Sequence, residues 1–157
     1  METRLSKRTE IRGFKADDMI WIVNAGVRGQ DVQVYGNKNI RELAEQTEYD
    51  NMSMTGLVDG VIVGCGGIRE LWPGVGEVWV LLSPEVNKYP IATAAVIMNG
   101  MRALVEDNDF YRLQGWCRID FIQAHTLFRH LCFKPEGIAR KYTPDKQDCL
   151  LYAKIKE

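Results

Sequence analysis

Two places in this sequence concentrate residues that could do chemistry. The first is Glu77, which opens the apolar run "EVWVLL". A carboxylate at the lip of a buried strand can take a proton from an ammonium group; a solvated strand-end glutamate would look the same. The second is "SPEVNKYPIATAAVI", Ser83 to Ile97, where an apolar strand runs into a helix. The first N–H groups of a helix have no intrahelical partners, so such a junction can hold an anion. Glycine usually opens a turn of this kind, letting backbone approach a ligand. Here the turn is Asn87, Lys88, Tyr89 and Pro90. Proline lacks an N–H but suits the first helical position. Ile91, Ala92 and Thr93 follow with N–H groups, Lys88 adds a point charge and Thr93 a hydroxyl. The same residues also describe nothing more than the start of a packed helix.

Other chemistries find little support. Cys65, Cys117, Cys132 and Cys149 are widely spaced, with no CxxC. They are expected to be reduced, buried thiols in a cytosol-like compartment, Cys132 included. His125 and His130 are five apart and do not share a helix face, so no metal site is expected. The chain of 157 residues is long enough for one domain with a sizeable core, and its net charge of −1 gives no general attraction to nucleic acid or anionic lipid. No apolar run is long enough to span a membrane, and "METRLSKRTEIRGF" has no apolar stretch of signal-peptide type.

The elements that must position these residues follow from local patterns. "EIRGF" is a short first strand. "ADDMIWIVNAGV" is a helix with Asp17 and Asp18 at its positive end. "NKNIRELAEQTE" begins a second helix capped by Asn39. Asp59-Gly60 between apolar runs marks a two-residue hairpin turn. Gly64, Gly66 and Gly67 in its second arm indicate a bulge or a close backbone approach. "WPGVG" turns the chain into "EVWVLLS", a strand buried on both faces, with Trp79 in the core. From Pro90 to Glu106 the pattern is helical, with Ile91, Ala94, Ala95, Met98, Met101 and Val105 on one apolar side. "YRLQGWCRID" alternates as a strand and "IQAHTLFRHLCF" as an amphipathic helix. "GIARKYT" and "CLLYAKI" close the chain as strands around "PDKQD". The order β-α-α-β-β-β-α-β-α-β-β gives an α+β fold: a mixed central sheet of about seven strands flanked by about four helices.

This order resembles that of the GNAT superfamily of acyl-CoA-dependent N-acyltransferases, over the whole chain as a single domain. "SPEVNKYPIATAAVI" is similar to the family's strand-turn-helix element, with Pro84-Glu85 at its Pro-Glu and Ile91, Ala94 and Val96 on its apolar helix positions. "FIQAHTLFRHLCF" is similar to a second element, matching at Ala124, Leu127 and Phe133. The resemblance implies acetyl-CoA as cofactor, its pantetheine aligned by the strand Val80, Leu81, Leu82 and Ser83. Its pyrophosphate would lie at Asn87, Lys88, Tyr89, Ile91, Ala92 and Thr93, with Phe128 beside its sulfur. Some GNAT histone acetyltransferases carry their base near the place of Glu77.

The departures are equally specific. The family's turn reads Q/R-x-x-G-x-G/A; here Asn87 stands for the long donor and Pro90 for the central glycine, while Ala92 fits. Phe128 replaces the tyrosine that many members use to protonate the departing thiolate, Phe121 replaces a nearby asparagine, and Cys132 replaces the glycine that ends the helix.

Three readings stay open from the sequence. One is a cytoplasmic N-acetyltransferase acting on an unknown amine, a small molecule or a protein, with Glu77 or a water chain as base. Another is an inactive GNAT-like protein that binds a protein partner. It is similar in element order and in its glycine-poor turn to GNAT-like proteins of short-tailed bacteriophages, which would place it in host cytoplasm or virion. The third is an acyl-CoA binder without transfer. Acceptor contacts are expected from Asn24–Asn37, with Arg28 and Asp31, and from Arg140–Asp148, with Lys141 and Asp145. Tyr35, Tyr49 and Trp72 are candidates to line that pocket.

Overall fold

The structure, a computed structural model, describes residues 8–26 and 39–157. Its elements are β1 (Thr9–Gly13), α1 (Ala16–Gly26), α2 (Ile40–Asp50), β2 (Ser53–Val58), β3 (Val61–Trp72), β4 (Val75–Leu82), a 3₁₀ turn (Pro84–Lys88), α3 (Pro90–Asp107), β5 (Arg112–Arg118), α4 (Ile122–His130), β6 (Lys134–Ala139) and β7 (Cys149–Ile155). One seven-stranded mixed sheet, in the order β1-β2-β3-β4-β5-β7-β6, carries them all. The Asn39 side chain caps α2 by accepting from the Glu42 N–H at 3.3 Å. Asp59 and Gly60 both take positive φ, as a tight hairpin turn requires. A bulge interrupts β2–β3 pairing beside Gly56, and Gly67 lies so close to Met52 and Ser53 that a Cβ there would clash with backbone.

Two sheet faces bury separate cores. Trp79, Leu81 and Cys65 pack with Phe14, Met19, Ile22 and Ala44 under α1 and α2. Ile68, Val78, Leu113 and Cys117 pack with Met101, Leu104, Phe128 and Leu131 under α3 and α4. Asp18 ties α1 to the sheet: its carboxylate accepts from Arg12 at 2.7 and 2.9 Å, from Thr55 Oγ1 at 2.7 Å and from the Lys15 N–H at 3.0 Å.

Three local expectations are corrected. Helix α3 does not bury the side through Ile91, Ala94 and Ala95, which are exposed; it buries Thr93, Val96, Gly100, Met101 and Leu104. The helix is apolar nearly all round, so periodicity alone did not single out one face, and contact with β2 and β3 did. The sixth strand lies earlier than "GIARKYT": β6 pairs with β7 from Lys134↔Ala153 to Ala139↔Cys149. The chain leaves the ladder after Ala139, where Lys141 adopts φ 50° and its N–H is taken by Asp148 Oδ1 at 2.9 Å. Pro135 is tolerated because β6 is an edge strand. Cys132 is exposed rather than buried, because it occupies the left-handed residue after α4 at φ 66°, the place a glycine would fill.

Candidate active site

The site is set by a parting of two strands. β4 pairs with β3 along almost its whole length, but with β5 only at Val75↔Arg112, Gly76↔Leu113 and Glu77↔Gln114. Beyond Glu77 the two strands diverge, and β5 continues with β7 as far as Arg118↔Cys149. The Ser83 N–H reaches back to Val63 O at 3.0 Å. In an antiparallel pair the polar groups of alternate residues point to opposite sides. Leu81 and Ser83 therefore turn theirs toward β3, and Val78, Val80 and Leu82 turn theirs toward the gap. The Ser83 side chain is also engaged, donating to Ile62 O and accepting from the Glu85 N–H.

The turn beside the gap offers less than its sequence promised. α3 starts at Pro90, and the Thr93 N–H already bonds Tyr89 O at 2.9 Å. The first-turn donors are thus Ile91 and Ala92. Thr93 lies on the buried side of the helix, 4 % exposed, with no hydrogen-bond partner for its Oγ1. The Lys88 ammonium is 2.9 Å from the Glu85 carboxylate, and Asn87 is exposed.

Aromatic side chains pack beside the gap, in the cores under α3 and α4. Phe128 is buried, stacked on Tyr152 with centroids 4.7 Å apart and edge-on to Phe133 at 5.3 Å. A Cβ on Gly115 would stand 2.6 Å from its ring and 2.9 Å from Val78 Cγ2, and Phe128 and Val78 belong to one core cluster. Phe121, at the start of α4, packs with Tyr89 and Val80 on the cluster containing Leu82, Val86 and Val96. Behind Phe128, His125 Nδ1 lies 2.7 Å from the Tyr152 hydroxyl, and its Nε2 faces the carbonyls of Arg118 and Ile119 at 3.1 and 3.0 Å. Two carbonyls place the ring hydrogen on Nε2, so the Tyr152 hydroxyl donates to Nδ1 and the histidine is structural.

Glu77 is half-buried on the opposite face, with no ion pair among the described residues. Gln114 is its register partner, and Trp116 follows on the same face. Tyr142 stacks on Trp116, centroids 4.6 Å apart at 21°. Burial, and then the charge of Glu77, push the Tyr142 phenol above its usual range. The sequence reading missed Trp116 and Tyr142, since alternation on β5 marks a face and not what folds over it. Trp72 lines a shallow groove with Asp50, Met52 and Glu70, and Tyr49 is 85 % exposed. Tyr35, Arg28 and Asp31 lie outside the described residues, as does most of Asn24–Asn37. Among the described residues no group of histidine, cysteine and carboxylate side chains could hold a metal, and no helix is long and apolar enough to cross a membrane.

The sequence matches no family model and no curated protein. Solved structures do match. A GNAT-family acetyltransferase from Bacillus anthracis superposes with a TM-score of 0.67 at 14 % identity, covering 94 % of this chain and 95 % of that one. A ribosomal-protein-alanine N-acetyltransferase from Brucella melitensis gives 0.71 at 14 %, covering 94 % and 99 %. A spermidine N-acetyltransferase variant from Vibrio cholerae gives 0.69 at 14 %, covering 94 % and 93 %. The chain has the GNAT fold, and its own sheet parts between β4 and β5 after Glu77 and Gln114.

Proposed function

We propose that this chain is an N-acetyltransferase, a single domain that takes acetyl-CoA along β4 and an amine on the Glu77 face, in a cytoplasmic setting. The observation that carries this reading is the divergence of β4 and β5 after Glu77 and Gln114. It leaves the backbone groups of Val78, Val80 and Leu82 facing a gap that opens toward the start of α3. These groups fit an extended amide-bearing chain, and the Ile91 and Ala92 N–H groups fit a phosphate oxygen at the positive end of the helix. Acetyl-CoA, when bound, supplies an activated acyl thioester. Glu77 accepts the proton of the incoming ammonium, which frees the nitrogen lone pair. Phe128 brings no proton to the other side of the gap. A thermal shift with coenzyme A, followed by acetylation assays on a panel of amines, tests the proposal: no shift and no product would end it.

A second reading has its own observation. Phe121 and Phe128 pack against the strands that border the gap, and Pro90 removes one donor from the turn. These features favour an inactive GNAT-like protein, of the bacteriophage kind, that acts by binding a protein partner. An acyl-CoA binder without transfer would give the thermal shift and no acetylated product.

A further inference from the structure

Neither the outer side nor the ends of α3 suit a helix that faces water alone. An amphipathic surface helix turns charged and polar side chains to solvent. The outer stripe of α3 is instead Ile91, Ala94, Ala95, Met98 and Val105, at helical spacing on the side away from buried Val96, Gly100 and Leu104. Ile91 is 86 % exposed, Ala94 and Ala95 are exposed, and Met98 and Val105 are half-buried. Asn99 and Arg102 are the polar residues among them, both exposed. The ends depart as well. The first turn has no acidic residue and the last turn no basic one, so nothing on the helix offsets its dipole. Glu106 and Asp107 add negative charge where the dipole is already negative. Both are exposed, with no ion pair among the described residues. Lys88, just before the helix, meets Glu85 at 2.9 Å yet keeps 68 % of its side chain open.

We infer that this face is covered by a second copy of the chain, its α3 antiparallel to the first across a two-fold axis beside Met98. One symmetry operation then corrects both anomalies. It sets Glu106 and Asp107 of each helix beside Lys88 and the positive N-terminus of the other, so two unfavourable ends become two favourable pairs. Met98 meets its own copy, and Ile91 meets the partner's Val105, equally far from Met98 on the other side. Ala94 and Ala95 meet the partner's Arg102, whose stem lies along them where larger side chains would hold the helices apart. A parallel pair would bring like ends together. The 18 residues of α3 span roughly 27 Å, so the face is small and the dimer reversible, at the low end of specific interfaces. Association by this face needs no coenzyme A and stands or falls apart from acetyl transfer.

The test is sedimentation velocity of the full chain without ligand, across the micromolar range to about 1 mM at low salt. A monomer–dimer equilibrium is expected within that range. Ala95→Glu puts a charge in the middle of the stripe, on an exposed position that a good helix former can occupy without loss of fold, which circular dichroism checks. It weakens association about tenfold or more. Lys88→Glu sets like charges together at both ends of the pair and weakens association about fivefold. Adding Glu106→Lys to Lys88→Glu reverses both partners and recovers most of that loss, to within about twofold of the parent. A chain that stays monomeric to the top of the range overturns the second copy as occupant. A dimer indifferent to Ala95→Glu overturns the α3 face, and a charge reversal that recovers nothing overturns the antiparallel pairing.

Discussion

The ring of Phe128 lies against Gly115 on β5, in the same core cluster as Val78 on β4, at the level where those strands part. The nearest ring atom to Gly115 is Cζ, where a tyrosine would carry its hydroxyl. Phe128→Tyr is therefore expected to push an oxygen into packed backbone, lowering stability by ~1–3 kcal/mol, and not to raise the rate of acetyl transfer. Urea melts and a single-substrate rate assay check both parts. A faster and equally stable variant would show that the ring can turn its edge into open space.

Phe121 packs, as Tyr89 does, on the cluster of Leu82, Val86 and Val96, beside the end of β4 that leads to α3. Shortening it to alanine should open that end. The expected outcome is tighter coenzyme A binding in Phe121→Ala than in the parent, with a modest fall in melting temperature from lost contact area. Weaker binding would make Phe121 a contact for the ligand instead of an obstacle.

Pro90 removes one N–H from the first turn of α3. Pro90→Gly restores it beside those of Ile91 and Ala92. A hydrogen bond to a charged group is worth roughly 1.5–3 kcal/mol, so coenzyme A affinity should rise by up to about tenfold after the cost of ordering a glycine. Isothermal titration of both proteins at one fixed salt concentration measures the ratio; heat from neither would favour the partner-binding reading.

Glu77→Gln keeps shape and removes proton acceptance. Acetyl transfer should vanish while the melting curve stays in place. Parent-level turnover in this variant would remove Glu77 from the mechanism.

Asp18 offers a pH test of the fold. Burial pushes its carboxyl up, but hydrogen bonds from Arg12, Thr55 and Lys15 together hold it below the ordinary carboxylate value. A depressed folded value means that the stabilisation is complete above the unfolded value of roughly 4 and is lost as pH falls through the lower folded one. Denaturant midpoints of the parent should fall across that window. Asp18→Asn should cost about 2 kcal/mol or more near neutral pH and show a flatter acid limb.

The sequence by itself determined the order of elements and the local devices that start and turn them. Asn39 caps a helix, Asp59-Gly60 turns a hairpin and Pro90 opens α3. Each of these is decided by a few consecutive residues and their own backbone preferences. The tertiary structure decided what the site contains. Whether α3 buries Ile91 or Val96, whether Leu81 or Leu82 turns its backbone to the gap, and how Phe121, Phe128 and Tyr142 come to lie where they do depend on the pairing of distant strands. β4 and β5 meet at only three register pairs and then part. That divergence has no signature in either strand, because each strand is regular along its own length and the gap exists only between them.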